Sequence, residues 1–159
     1  MNTKLLKTLL DYDPCTGLFT WKKSSSSKPI IGTVAGTLHP HGYTRININK
    51  KMYYAHRLAW LYVHGKWPPA EIDHKDCDPA NNRISNLRLA THAQNAANAH
   101  LRRTSTSGLK GAYRHQKKWL AQITYNGRRI YLGVFDTDKE AHAAYVAASK
   151  DLHGSFTRL

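Results

Sequence analysis

The sequence predicts an α+β protein built from two small modules. Runs of strand-like alternation joined by tight turns recur along the chain. Two Thr-x-x-Gln/Glu patterns, Thr91 with Gln94 and Thr137 with Glu140, each open an alanine-rich run of helical character. The Ser/Thr-rich, basic stretch "LRRTSTSGL" at 101–109 reads as a connection between compact pieces. We therefore expect modules at 1–100 and 107–159, with 101–106 as the linker.

Residues 3–11 read as a short helix, followed by turn residues and a strand carrying Phe19 and Trp21. "KKSSSSKP" is a polar loop. From Gly42, "YTRININ" alternates as a half-buried strand does and turns at "NKK" into "MYY", which makes a hairpin. "YYAHRLAWLYVHG" spaces Ala55, Leu58, Ala59 and Tyr62 at helical intervals before Gly65, so a helix is expected there, with His56 packed or facing phosphate. "EIDH" then reads as a strand, "KDCDPANNR" as a loop, "ISNLRLA" as a second strand, and a helix starts at about His92 with Asn95 in its early turns. Strand, loop, strand, helix is a ββα order.

Beyond the linker, "KGAYRHQ", "KWLAQITY" and "RRIYLGVF" read as three antiparallel strands, and Asn126-Gly127 marks a two-residue hairpin turn. Pairing Tyr125 with Arg128 sets Ile123 opposite Ile130, Ala121 opposite Leu132 and Trp119 opposite Val134 on one apolar face. The other face receives Lys118, Gln122, Thr124, Arg129 and Tyr131. A final helix carries the stripe Ala141, Ala144, Tyr145, Ala148 and Leu152, which should cover the apolar face.

The 159 residues include 24 Lys and Arg against 10 acids, a formal net charge of +14. A polyanion is the natural partner, nucleic acid before membrane. Residues 1–72 and 101–159 each carry +7, whereas 73–100 are neutral. No apolar run is long enough to span a bilayer and the first residues lack a signal-peptide cleavage pattern, which points to a cytoplasmic protein. No obligate protein partner is evident. Cys15 and Cys77 lie far apart outside any CxxC, so neither a disulfide framework nor a structural zinc is expected. Any metal should be held by oxygen and imidazole.

The neutral centre concentrates side chains suited to phosphodiester hydrolysis, which needs a base for water and a cation for the developing charge. His74 can be the base. Asp73 and Asn95 offer hard oxygen donors suited to Mg²⁺ or Mn²⁺. Asn86 can hold the loop or orient the imidazole. An EF-hand reading of Asp73, Asp76 and Asp78 fails because the central Gly and closing Glu are missing.

"DH" at 73–74, "NNRISNLR" at 81–88 and "THAQN" at 91–95 resemble the HNH endonuclease motif of the phage- and intron-encoded homing branch, whose fold is the ββα-metal finger. The resemblance extends from Tyr12 to Asn98, with the finger at about 71–100. It implies that His74 is the general base, that Asp73 and Asn95 ligate one divalent cation, and that Asn86 buttresses the finger. Residues 107–155 resemble the APETALA-type, ethylene-response-factor-like DNA-binding domain, which lays its sheet in the major groove of double-stranded DNA. That resemblance adds Arg114 and Arg128 to the expected DNA-binding set of Lys118, Gln122, Thr124, Arg129 and Tyr131.

The sequence thus points to a metal-dependent DNA endonuclease that nicks one strand. The competing expectation is a DNA-binding regulator with a catalytically idle finger, and a third is an RNA binder.

Overall fold

The computed structural model describes residues 1–23, 31–99, 101 and 107–157. Its chain divides into two compact units, Met1–Leu89 and Ala90–Leu159. Most of the expected linker, 102–106, and most of the polar loop "KKSSSSKP", 24–29, lie outside the described residues, as does His100.

In the first unit, α1 (Thr3–Leu9) starts at Asn2, whose side chain accepts from the Leu5 amide at 2.8 Å. The helix stops short of the expected Asp11. Leu10–Tyr12 forms β1, which pairs antiparallel with β2 (Phe19–Trp21). Burial explains the change: Leu10, Tyr12, Phe19 and Trp21 alternate inward at strand period, so pairing outweighs one more helical turn.

A three-stranded sheet follows in the order β3 (Thr37–Leu38), β4 (Thr44–Ile48) and β5 (Lys51–Tyr54). The hairpin turns at Asn49 and Lys50 as expected, whereas β3 carries no sequence pattern of its own. Tyr53 and Tyr54 stay in β5, so α2 runs only over Ala55–His64, and Gly65 caps it at φ +74°. Next come β6 (Glu71–His74), a 3-10 turn at Ile84–Asn86, and β7 (Leu87–Ala90), which pairs with β6. "ISNLRLA" is therefore half turn and half strand. The core of this unit gathers Leu6, Leu10, Phe19, Ile46, Ile48, Leu58 and Leu61.

The second unit opens with α3 (His92–Asn98), whose Thr91/Gln94 capping box forms as expected. Strands β8 (Ala112–His115), β9 (Lys118–Tyr125) and β10 (Arg128–Phe135) make an antiparallel sheet in the order β10-β9-β8. The helix α4 (Asp138–His153), started by the Thr137/Glu140 box, packs on it, and α3 lies against α4. Asn126 and Gly127 both take positive φ, 47° and 75°, the geometry a tight hairpin turn requires.

Register departs from expectation beyond the turn. Tyr125–Arg128 and Ile123–Ile130 pair as read from the sequence, but a one-residue shift after Tyr131 pairs Gly133 with Ala121, Val134 with Leu120 and Phe135 with Trp119. The cause is a β-bulge at Leu132, next to Gly133 at φ +135°. Phe135 therefore joins Leu132 and Trp119 against the small core of Ala112, Ala121 and Ala141, while Val134 is exposed.

The α4 stripe also shifts. Its buried members are Ala141, Ser149 and His153 rather than Ala148 and Leu152, because the helix seats an i, i+4 ridge on the sheet. Ser149 tolerates that place by bonding Thr157, with 3.1 Å between the hydroxyls. Among the described residues no helix is long and apolar enough to cross a membrane.

Candidate active site

The end of β6 brings Asp73 and His74 under cover together. Strict alternation would expose one of them, yet Ile72, Asp73 and His74 are all buried. Asp73 Oδ2 accepts from Arg88 Nε at 2.8 Å, across from β6 on β7, and both side chains are largely buried. That ion pair neutralises a carboxylate which would otherwise be costly to enclose. His74 Nε2 lies 3.3 Å from Asn82 Oδ1.

Asn82 is the residue that sequence reasoning missed. The sequence places it in the loop "KDCDPANNR" with Asp76, Cys77, Asp78 and Asn81, but it is only 3% exposed and its side-chain oxygen lies beside the imidazole. Its Nδ2 donates to the Ala80 carbonyl at 3.1 Å, and its own carbonyl accepts from the Tyr12 hydroxyl at 2.7 Å. Burial pushes the Tyr12 hydroxyl up to about 12.

Asn86 sits at the end of the 3-10 turn, not on the return strand, and it holds the loop. Its Nδ2 donates to Asp76 Oδ1 and to the Asn81 carbonyl, both at 2.9 Å, and its Oδ1 accepts from the Asp76 amide at 3.2 Å. Its backbone carbonyl accepts from the Lys75 amide at 2.9 Å. Asp76 is the hub of this loop, accepting also from the Asp78 amide and from Asn81 Nδ2. Partial burial raises the Asp76 pKa, but the Asp78 amide, the Asn86 and Asn81 amides and nearby His74 outweigh it and hold the carboxyl below its usual range.

His56 and Tyr43 pack their rings near His74, and Tyr54 backs them. His56, the second residue of α2, meets the His74 ring edge-on at 5.2 Å between centroids, Tyr43 lies 6.0 Å away, and Tyr54 stacks on His56 at 5.5 Å. His56 is 8% exposed and its Nδ1 is buried with no hydrogen-bond partner. Burial first, then the charges of His74 and Arg57, lower its pKa to about 3, so it stays neutral. The sequence reading of His56 as a packed histidine holds.

Residues 53–97, from β5 through β7 into α3, match the HNH endonuclease family. Protein 3.8 of Escherichia phage T7 is 32% identical over 106 residues, 65% of this chain and 87% of that protein. The chain belongs to the HNH endonuclease family. An uncharacterized HNH endonuclease, L560, of Acanthamoeba polyphaga mimivirus is 29% identical over 131 residues, 80% of this chain and 67% of that protein. The HNH match spans His74, Asn82, Asn86 and the Asp73–Arg88 pair.

HNH endonucleases generally use a divalent metal. Among the described residues no group of three His, Cys, Asp or Glu side chains forms a protein cage. The Asp73 carboxylate at the end of β6 is a hard oxygen donor of the kind that such a cation takes. Asp73 belongs to the first unit, and Asn95 to the second, in the first turns of α3 as expected.

In the second unit, cross-strand pairs place the expected DNA-binding residues of this HNH protein on two faces. Thr124 pairs with Arg129 and Gln122 with Tyr131, and with Lys118 they share the face away from the core. Arg114 pairs with Trp119, and Arg128 with Tyr125, so those two arginines have the parity of the helix-facing side. Arg114 lies over the Trp119 ring at 5.2 Å. Lys118 Nζ approaches exposed Asp136 at 3.0 Å, a solvent-screened pair that leaves the lysine exposed.

Proposed function

We propose that this HNH nuclease is divalent-metal-dependent, hydrolyses phosphodiester bonds of double-stranded DNA and uses His74 as its general base. The observation that carries this reading is the mounting of His74: a buried imidazole at a strand end, beside a buried carboxylate, with one ring nitrogen beside a fixed amide and the His56 and Tyr43 rings packed near it. Such a group can take a proton from water in one defined orientation. Asp73 and Asn95 would hold one Mg²⁺ or Mn²⁺, which supplies charge neutralisation at the phosphate and the leaving oxygen. Asn86 keeps the loop between them folded back.

The net charge of +14 and the outward row of exposed Lys118, Thr124, Arg129 and Tyr131 with half-buried Gln122 support DNA gripping by 107–159, proposed as an APETALA-type domain joined by the 101–106 linker to an HNH domain over 1–100. One finger supplies one active centre, so a monomer would nick, acting in the host cytoplasm as a phage- or intron-type homing enzyme. A supercoiled-plasmid assay with Mg²⁺, Mn²⁺, Zn²⁺ or EDTA tests this. His74→Ala should lower nicking by about 10²- to 10⁴-fold while DNA affinity is kept. Equal nicking by variant and wild type, or full activity in EDTA, refutes it.

A further inference from the structure

We propose that Asn82 is a positioning residue for the base, its side-chain oxygen accepting the proton on His74 Nε2 and so leaving the lone pair on Nδ1. The inference rests on the reading of His74 as general base. It stands on a chain of hydrogen bonds. Because Asn82 Nδ2 is committed to the Ala80 carbonyl at 3.1 Å, the carboxamide cannot rotate without losing that bond, and the atom it turns toward the imidazole is an acceptor. An acceptor 3.3 Å from Nε2 selects the tautomer protonated there.

The Asn82 backbone is itself held. Tyr12 on β1 donates to the Asn82 carbonyl at 2.7 Å inside the protein. Gly17 passes so close that a Cβ there would lie 2.6 Å from the Asn82 carbonyl carbon and 2.5 Å from the Arg83 nitrogen. Arg83 Nε in turn donates to the Cys15 carbonyl at 2.6 Å. The amino-terminal hairpin therefore fixes Asn82, and Asn82 fixes the ring. The His56 ring meets His74 edge-on, with 5.2 Å between centroids.

Two measurements test this on the full chain. In ¹⁵N-histidine-labelled wild type above the histidine pKa, the His74 resonance, identified by its absence in His74→Ala, should show the Nε2–H tautomer. The Nδ1–H tautomer there overturns the proposal without any variant at position 82. Asn82→Ala should mix the tautomers and lower kcat for plasmid nicking by about 10²-fold with KM within about threefold, the scale of a misaligned group. Asn82→Asp, which still accepts from Nε2, should restore the single tautomer and most of kcat. A loss in Asn82→Ala that Asn82→Asp fails to recover, or an unchanged kcat in Asn82→Ala, overturns the proposal. If His74→Ala itself nicks at the wild-type rate, the base assignment has failed instead.

Discussion

Acid should unfold this protein partly through His56. The neutral ring is buried against His74, Tyr43 and Tyr54, with Arg57 the neighbouring charge, and its pKa falls from 6.5 to about 3. A histidine with a depressed pKa binds fewer protons folded than unfolded between those two values. Its stabilising contribution is therefore complete above pH 6.5 and lost as pH falls toward 3. At about 1.36 kcal/mol per pKa unit, the loss is about 2 kcal/mol by pH 5 and about 3 kcal/mol by pH 4. Those are large fractions of a typical domain stability of about 5–15 kcal/mol. His56→Phe keeps a ring of similar size and removes the titration. Urea unfolding at pH 7 and pH 5, followed by circular dichroism, should show wild type losing about 2 kcal/mol more than His56→Phe over that interval. Parallel losses in the two proteins would refute the assignment of a neutral, desolvated His56.

Arg88→Ala leaves the Asp73 carboxylate buried without its 2.8 Å partner, and should cost about 3–5 kcal/mol in urea unfolding, with Arg88→Lys recovering part. Asn86→Ala removes the ties to Asp76 and Asn81, so it should cost about 2–3 kcal/mol and raise amide hydrogen exchange across 75–83 more than elsewhere. Gly17→Ala sets a Cβ 2.5 Å from the Arg83 nitrogen at φ +77°, and should lower thermal stability by about 2 kcal/mol or more.

What could be read in the sequence was whatever is local. Thr91 with Gln94 and Thr137 with Glu140 announce helix starts because a cap needs only residues three apart, and both boxes formed. Asn126-Gly127 fixed its hairpin for the same reason. Asp73 and His74 were legible as chemistry, but their joint burial was not, since it depends on Arg88 and Asn82 closing over a strand that stops alternating. Asn82 looked like its neighbour Asn81, because turn-forming propensity says nothing about a tyrosine seventy residues away in sequence reaching its carbonyl. The bulge at Leu132 did leave a trace: Gly133 inside a strand pattern is where such an irregularity belongs. The strand β3 left none, being two exposed residues recruited by β4.

That bulge makes the sheet two independently editable halves. Between the turn and Tyr131, inward and outward positions follow from the hairpin; beyond Gly133 they follow from one extra residue. Deleting Leu132 would leave Arg129 and Tyr131 where they are and would also keep Gly133 opposite Ala121, Val134 opposite Leu120 and Phe135 opposite Trp119, removing the bulge and only the Leu132 side chain from the core. A one-residue deletion in a strand ordinarily turns every later side chain to the other face; here it would straighten the edge strand, cost the second unit one of the few large side chains on its small core and spare the outward row near the turn.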